Sequence, residues 1–333
     1  MFFAESGASM TVSDTTPKAT RLGFLLVDDF ALMSYASLIE PFRAANQLAE
    51  ATLYAWRHFS IDGGAARASN GVDIVVDGVL GRAEPLDMLF VCAGGNPSAF
   101  RHRATLARLR QAATRGTIIG GVSGGPFILA RAGLLDGYRC TIHWEHEQAF
   151  AEAFPALSLE RGLYVIDRGR LTCAGGIAGL DLAIELIEAA HGAALATRVG
   201  EWYIRTQQRE GGGAQRPSLR QRFRVSHTGL LAALGAIETH LGEPLPRDEL
   251  SRIAGVSLRQ LERLFAAHLG RTIGQEYMRQ RLDAAMRLLR ETDLGRIEIA
   301  ITCGFADASH FSRTFRARFG VSPLRARHGA RQS

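Results

Sequence analysis

The run Gly121-Val122-Ser123-Gly124-Gly125 sets one hydroxyl among glycines, where a tight turn leaves its oxygen open and its neighbouring amides free. Gly-x-Ser-x-Gly is the pattern of a serine nucleophile turn, and His143, twenty residues on, offers an imidazole base. A neutral hydroxyl is a weak nucleophile without such a base, and the base needs an acid behind it. Asp136 and Asp181 are available, but nothing in their spacing puts either there. In a chain with 36 Gly the pattern also arises by chance. No catalytic residue is assigned.

The same turn can bind without reacting. Ser123 and Gly124 open a predicted helix whose first amides have no partner within it, and Gly94-Gly95 forms another turn at a strand end; such amides favour an anion such as a carboxylate. Phe30, Tyr35 and Trp144 flank these motifs, where their ring faces could meet a cation. Metal chemistry has no comparable basis. His143, Glu145 and His146 at i, i+2 and i+3 spread around a helix start, and the cysteines at 92, 140, 173 and 303 form no CxxC pair. No metal and no cofactor are expected, and Cys173 reads as a buried thiol.

A second constellation repeats. IAGVSLRQLERLFAAHLG (253–270) aligns with CGFADASHFSRTFRARFG (303–320) at an offset of 50. Leu261 falls on Phe311, Arg263 on Arg313, Phe265 on Phe315 and Gly270 on Gly320, while Ser257 falls on Asp307, both good N-cap residues. Each copy reads as a short helix, a Gly-containing turn and a capped second helix: a helix-turn-helix. Positions 261, 264, 265 and 269 form one apolar stripe, and 311, 315 and 319 the matching one. The opposite faces carry Arg259, Glu262 and Arg263, then Ser309, Ser312 and Arg313, free to meet a groove of DNA.

Two kinds of element must position these residues. Strand patterns at 22–27, 53–61, 88–92, 117–122, 164–167 and 171–174 alternate with helical patterns at 32–49, 98–114, 126–132, 144–154 and 178–190. That alternation predicts an α/β unit with a mostly parallel sheet covered by helices. Beyond QQREGGGAQRPS (207–218) the pattern is helical throughout. The expected organisation is a disordered leader at 1–20, an α/β domain at 21–206, a Gly-rich linker at 207–226 and an all-α domain at 227–330. With 47% hydrophobic and 22% charged residues, the chain has enough apolar surface for ordinary cores, so disorder is excluded as its main state. No apolar run reaches membrane length and the leader lacks a signal-peptide pattern, so a soluble cytoplasmic protein is expected, with no membrane partner. Residues 211–333 hold 20 Arg against 11 acids, a net of +9, whereas 21–210 hold 18 Arg against 20 acids. The excess positive charge sits with the repeat, as a nucleic-acid-binding module would have it.

The stretch GFADASHFSRTFRARFGVSP (304–323) resembles the signature of AraC/XylS-type regulators, and the similarity runs over about 228–327. It implies two helix-turn-helix units joined by a long helix, here 273–290, that enter successive major grooves. After Pro323 the family often places an aromatic residue before Arg; here Leu324 stands instead. Residues 22–191 resemble the ThiJ/PfpI group, a flavodoxin-like fold related to class I glutamine amidotransferases, through VCAGG (91–95), GGVSGGPFILARAGLLDG (120–137), the run at 141–144 and TCAGGIAGLDLAIEL (172–186). Enzymes of that fold carry a nucleophilic Cys where this chain has Ser123 and an acid where it has Ser34, so the resemblance implies a binding pocket rather than an enzyme.

The order of the two parts is similar to regulators of the GlxA type. The resemblance implies a ligand-responsive transcriptional regulator of operator DNA, with a zwitterionic amino acid or quaternary amine as effector, a homodimeric assembly and RNA polymerase as a further partner. The candidate ligand residues are Ser123, Gly124, Gly94, Gly95, Ser34, His143 and Trp144. A serine hydrolase or amidase fused to a DNA-targeting module is the alternative.

Overall fold

The computed structural model describes residues 18–81, 85–207 and 209–330. All but the last three residues of the expected leader lie outside that range. The strands are β1 Thr20–Leu26, β2 Tyr54–Ser60, β3 Ala66–Arg67, β4 Asp73–Ile74, β5 Gly78–Val79, β6 Met88–Ala93, β7 Ile118–Ser123, β8 Arg139–Cys140, β9 Ser158–Leu159, β10 Tyr164–Asp167 and β11 Arg170–Cys173. Seven form one sheet in the order β10-β11-β7-β6-β1-β2-β5, parallel except for β10 against β11. The α/β helices are α1 Leu32–Ala49, α2 Arg103–Thr114, α3 Gly125–Arg131, α4 Glu147–Ala153, α5 Ala178–His191 and α6 Ala193–Trp202.

β1 reads as an unbroken apolar run because both faces are covered: Leu22, Phe24, Leu25 and Leu26 are all buried. One face packs on α1, α5 and α6 through Leu38, Phe42, Leu182 and Val199; the other packs on α2 and α3 through Leu109, Phe127 and Ile128. From β1 the strand order runs one way to β2 and the other way to β6 and β7. The crevice at their carboxyl ends is where open α/β sheets bind ligands.

The all-α part comprises α7 Leu219–Phe223, α8 Thr228–Thr239, α9 Arg247–Ala254, α10 Leu258–Leu269, α11 Ile273–Glu291, α12 Arg296–Thr302, α13 Ala308–Phe319 and α14 Pro323–Ala330. Two helix-turn-helix units, α9–α10 and α12–α13, flank α11. Thr272 caps α11 reciprocally with Gln275, which fixes where the long helix starts.

Three expectations change. Helix α6 follows α5 after a break at Gly192 (φ 87°) that the composition did not mark. The helix expected at 98–114 begins at Arg103, because Pro97–Ala99 forms a separate 3-10 turn. The Gly-rich segment is not a free tether: Gln215 Nε2 donates to Ile142 O and Gly162 O, and Leu163 N donates to Gly211 O at 2.6 Å. Glycine permits that docking, since a Cβ on Gly162 would stand 2.5 Å from Gly211 O. The two parts also share apolar packing, because Leu282, Leu288, Ile299, Phe311 and Phe315 belong to the same buried cluster as Phe127 and Phe150.

Candidate functional site

Strand β7 ends at Ser123, whose φ of 59° is left-handed and strained for a residue with a Cβ. The strain is held from both sides. Gly124 N donates to Ala93 O at 2.9 Å, and His143 N reaches Ser123 O at 3.4 Å. The loop after β11 closes over the turn, and only glycine fits there: a Cβ on Gly175 would stand 2.7 Å from Ser34 Oγ and 2.8 Å from Ser123 Cβ. Ser34, on the first turn of α1, accepts from Gly176 N at 2.7 Å. Ser123, Gly124, Ser34, Gly94 and Gly95 therefore gather where β1, β6, β7 and β11 end.

The groups needed for hydrolysis do not gather there. Among the described residues no hydrogen bond joins Ser123 Oγ to His143. Desolvation is the main cause that lowers the His143 pKa, and its Nδ1 stands 3.6 Å from exposed Glu145. Asp181 is buried but committed to Arg205 at 2.8 Å and to Arg209. Asp136 is exposed. Cys173 packs below the turn, where burial pushes its thiol up to about 12, the character of an inert structural cysteine. Among the described residues no group of three His, Cys, Asp or Glu could hold a metal.

The flanking aromatics go elsewhere. Phe30 is core, and Tyr35 is buried with its hydroxyl 2.7 Å from His58 Nε2. Trp144 lines a cavity of about 1010 Å³ between the α/β part and the helical part, which none of the Ser123 turn residues line. Sequence reasoning had no signal for that cavity, because its walls come from 144–161, 216–242 and 271–302, far apart along the chain.

In the helical part Ser257 Oγ accepts from Gln260 N at 3.3 Å, and Asp307 accepts from His310 N at 2.6 Å, which holds the Asp307 carboxyl below its usual range. Both recognition helices end at left-handed glycines, Gly270 and Gly320. Leu261 and Phe265, then Phe311 and Phe315, are buried. Arg259, Glu262 and Arg263 on α10, and Ser309 and Arg313 on α13, are exposed. Ser312 is half-buried and its hydroxyl donates back to Ala308 O at 2.7 Å. Among the described residues, no helix is long and apolar enough to cross a membrane.

A flavodoxin-like sheet with a strained turn at its carboxyl edge, joined to two capped helix-turn-helix units, defines the class: a DJ-1/PfpI-like domain carrying a DNA-binding module. The DJ-1/PfpI family model matches residues 21–189, and a helix-turn-helix domain model matches 250–329. The HTH-type transcriptional regulator CdhR of Pseudomonas aeruginosa is 42% identical over 91% of this chain and 90% of its own. The HTH-type transcriptional regulator GlxA of Rhizobium meliloti is 42% identical over 96% of this chain and all of its own. A crystal structure of an AraC family transcriptional regulator from Pseudomonas putida, 29% identical, superposes with a TM-score of 0.51, covering 55% of this chain and 99% of that one. The chain belongs to the family of AraC-type helix-turn-helix transcriptional regulators whose N-terminal half is a DJ-1/PfpI domain.

Proposed function

We propose that the protein binds operator DNA as a homodimer through α10 and α13, and that a small carboxylate-bearing effector seated at the Ser123 turn alters that binding. The observation that carries the DNA half is the pair of capped recognition helices with exposed Arg259, Arg263 and Arg313 opposite their buried stripes. Arg forks match guanine edges and phosphates, and Glu262 and Ser309 add an acceptor and a hydroxyl. The carboxylate half rests on the clustering of strand-end turns at the crevice. The cation-binding half of a zwitterion site loses its support at Phe30 and Tyr35, which are core. Ser123 is read as a binding and not a catalytic residue, because no base–acid relay stands behind it.

A route from the turn to the DNA-binding part supports the regulatory reading. Two loops beside Ser123 reach the same residue at the end of α11: Ser98 Oγ donates to Glu291 O, and buried His146 lies 3.2 Å from the Glu291 carboxylate. A ligand shifts such an equilibrium only by its differential affinity for the two arrangements.

The test is fluorescence anisotropy of the full chain on operator DNA selected from random sequence, across a salt series. The full chain is required because its two parts share a core. Each phosphate contacted adds about 0.9 to the log–log salt slope. A flat salt response rejects the DNA interface. Unchanged operator binding across a screen of amino acids and other carboxylates, in wild type and Ser123→Phe alike, rejects the sensor.

A further inference from the structure

The interdomain groove contains more positive charge than its own carboxylates neutralise. Arg222 reaches Glu238 at 2.5 Å, and Arg216 stands 3.8 Å from the same carboxylate, so one acid faces two guanidiniums. Arg287, from α11, has neither ion pair nor hydrogen bond among the described residues and lies 5.9 Å from the Trp144 ring centroid; Arg216 lies 4.5 Å from it. The Arg222 Nε is buried without a partner. Burial first, then the neighbouring charges of Arg222 and Arg287, lower the Arg216 pKa and outweigh the opposing pull of Glu238 and Glu147.

The other acids lining the groove each have a nearer partner, and of them Glu147 also acts on Arg216. Glu147 pairs with Arg161 at 2.6 Å, Asp283 with Arg279 and Arg318, Glu145 with His143, and Glu152 accepts from Gln148. A half-buried cluster of like charges is stabilised by a counter-charge of matching geometry, and planar guanidinium forks match oxyanions.

We propose that this groove is a second ligand site, binding a small phosphate- or carboxylate-bearing metabolite on Arg216 and Arg287 beside Trp144. The site is independent of the Ser123 turn. An oxyanion here touches the segment between the domains, the α/β edge and the helix that joins the two DNA-binding units. It therefore favours the docked arrangement of those three elements.

The experiment titrates the full-length chain with inorganic phosphate and, in a parallel arm, citrate. It reads the melting temperature and intrinsic tryptophan fluorescence at constant ionic strength, with chloride as control. The expected result is a saturable rise with phosphate or citrate and none with chloride; the tighter arm identifies the headgroup chemistry. Arg287→Gln weakens the apparent affinity about tenfold or more, and Arg287→Lys recovers part of it, while both variants melt near wild type without ligand. If Arg287→Gln does not fold, Arg216→Gln provides the same comparison. No saturable shift in wild type, or equal shifts in wild type and Gln variants, overturns the site. So does a loss of operator affinity in Arg287→Gln without any phosphate or citrate effect, which would assign the cluster to DNA phosphates. Ser123→Phe keeps the phosphate or citrate response, so failure of the turn as a sensor and failure of this groove are read separately.

Discussion

The two helix-turn-helix units repeat one motif but are anchored differently. The first, α9–α10, has a core of its own with α8: Leu230, Leu234, Leu250, Leu261 and Phe265. The second, α12–α13, contributes Ile299, Phe305, Phe311 and Phe315 to a cluster that continues into the α/β part. Their turns differ by one residue. Left-handed Gly255 stands two residues before its cap, Ser257, while Gly304 stands three before Asp307. The additional residue lets Phe305 enter the core, 5.1 Å from Phe311, with the Arg281 guanidinium 4.1 Å from its ring centroid. The second unit is thus fixed to the α/β part, and the first is reached through α11. A change at the Ser123 turn meets the second unit before the first.

The largest expected effect breaks that asymmetry directly. Phe265→Ala and Phe311→Ala each remove a fully buried ring and should each cost about 3–5 kcal/mol. They should differ in reach. Hydrogen exchange should rise in α8–α10 for Phe265→Ala, but in α12–α13 and also α4 and the 97–99 turn for Phe311→Ala. Exchange confined to α12–α13 in the second variant would show that the units are anchored alike.

Next in size are the two arginines proposed to read bases, which test whether the two units also share the work of recognition. Arg259→Ala and Arg313→Ala should each cost roughly 1–3 kcal/mol on the operator and much less on random DNA, read by anisotropy competition. Equal losses on both DNAs would make them phosphate contacts. A loss for only one of them would mean that one unit alone reads sequence.

The repeat was legible because caps, glycines and apolar stripes are local: Ser257, Asp307, Gly270 and Gly320 each act within one turn of their own helix. The α/β sheet was legible for the same reason, its central strands being unbroken apolar runs between helical periods. Contacts between distant segments left no such trace. Gln215 on Gly162, Ser98 on Glu291 and the convergence on Trp144 are non-local, so by sequence alone the 207–218 segment reads as a linker and Trp144 as part of the Ser123 site. Gly175 lies inside the TCAGGIAGLDLAIEL run, but its role in admitting Ser34 and Ser123 depends on three strand ends meeting at once. Helix α6 has no boundary signal in the sequence because Gly192 stops one helix and starts the next without a polar stretch between them.

Both units depend on one side chain to start their second helix. Ser257→Ala should destabilise the first unit by about 1 kcal/mol. Thermal melts checked against Ser257→Asp, which keeps the acceptor, separate capping from bulk side-chain loss. In Asp307 the cap is a carboxylate whose pKa is lowered chiefly by the His310 amide, so its contribution is present above the unfolded pKa and is lost as pH falls through the folded one. Acidification should therefore loosen α13 in wild type but not in Asp307→Asn, whereas the Ser257 cap has no such dependence. An acid response that persists in Asp307→Asn would place the titrating group elsewhere.

The smallest expected effect concerns Ser312, which the helical repeat put on the DNA face beside Arg313. Its hydroxyl hydrogen is already donated to Ala308 O at 2.7 Å, and the side chain is half-buried. To donate to a base or phosphate it would have to break that bond, and the gain would be only the difference between two similar hydrogen bonds. Ser309, three residues earlier and exposed, has no such commitment among the described residues. Ser312→Ala should therefore change operator affinity by less than about 0.5 kcal/mol, the range of ordinary surface substitutions, while Ser309→Ala costs more. Anisotropy titrations of the two variants beside Arg313→Ala decide the matter. A Ser312→Ala loss as large as that of Arg313→Ala would mean that α13 turns about its axis on binding, presenting a different face to DNA from the one exposed in the free protein.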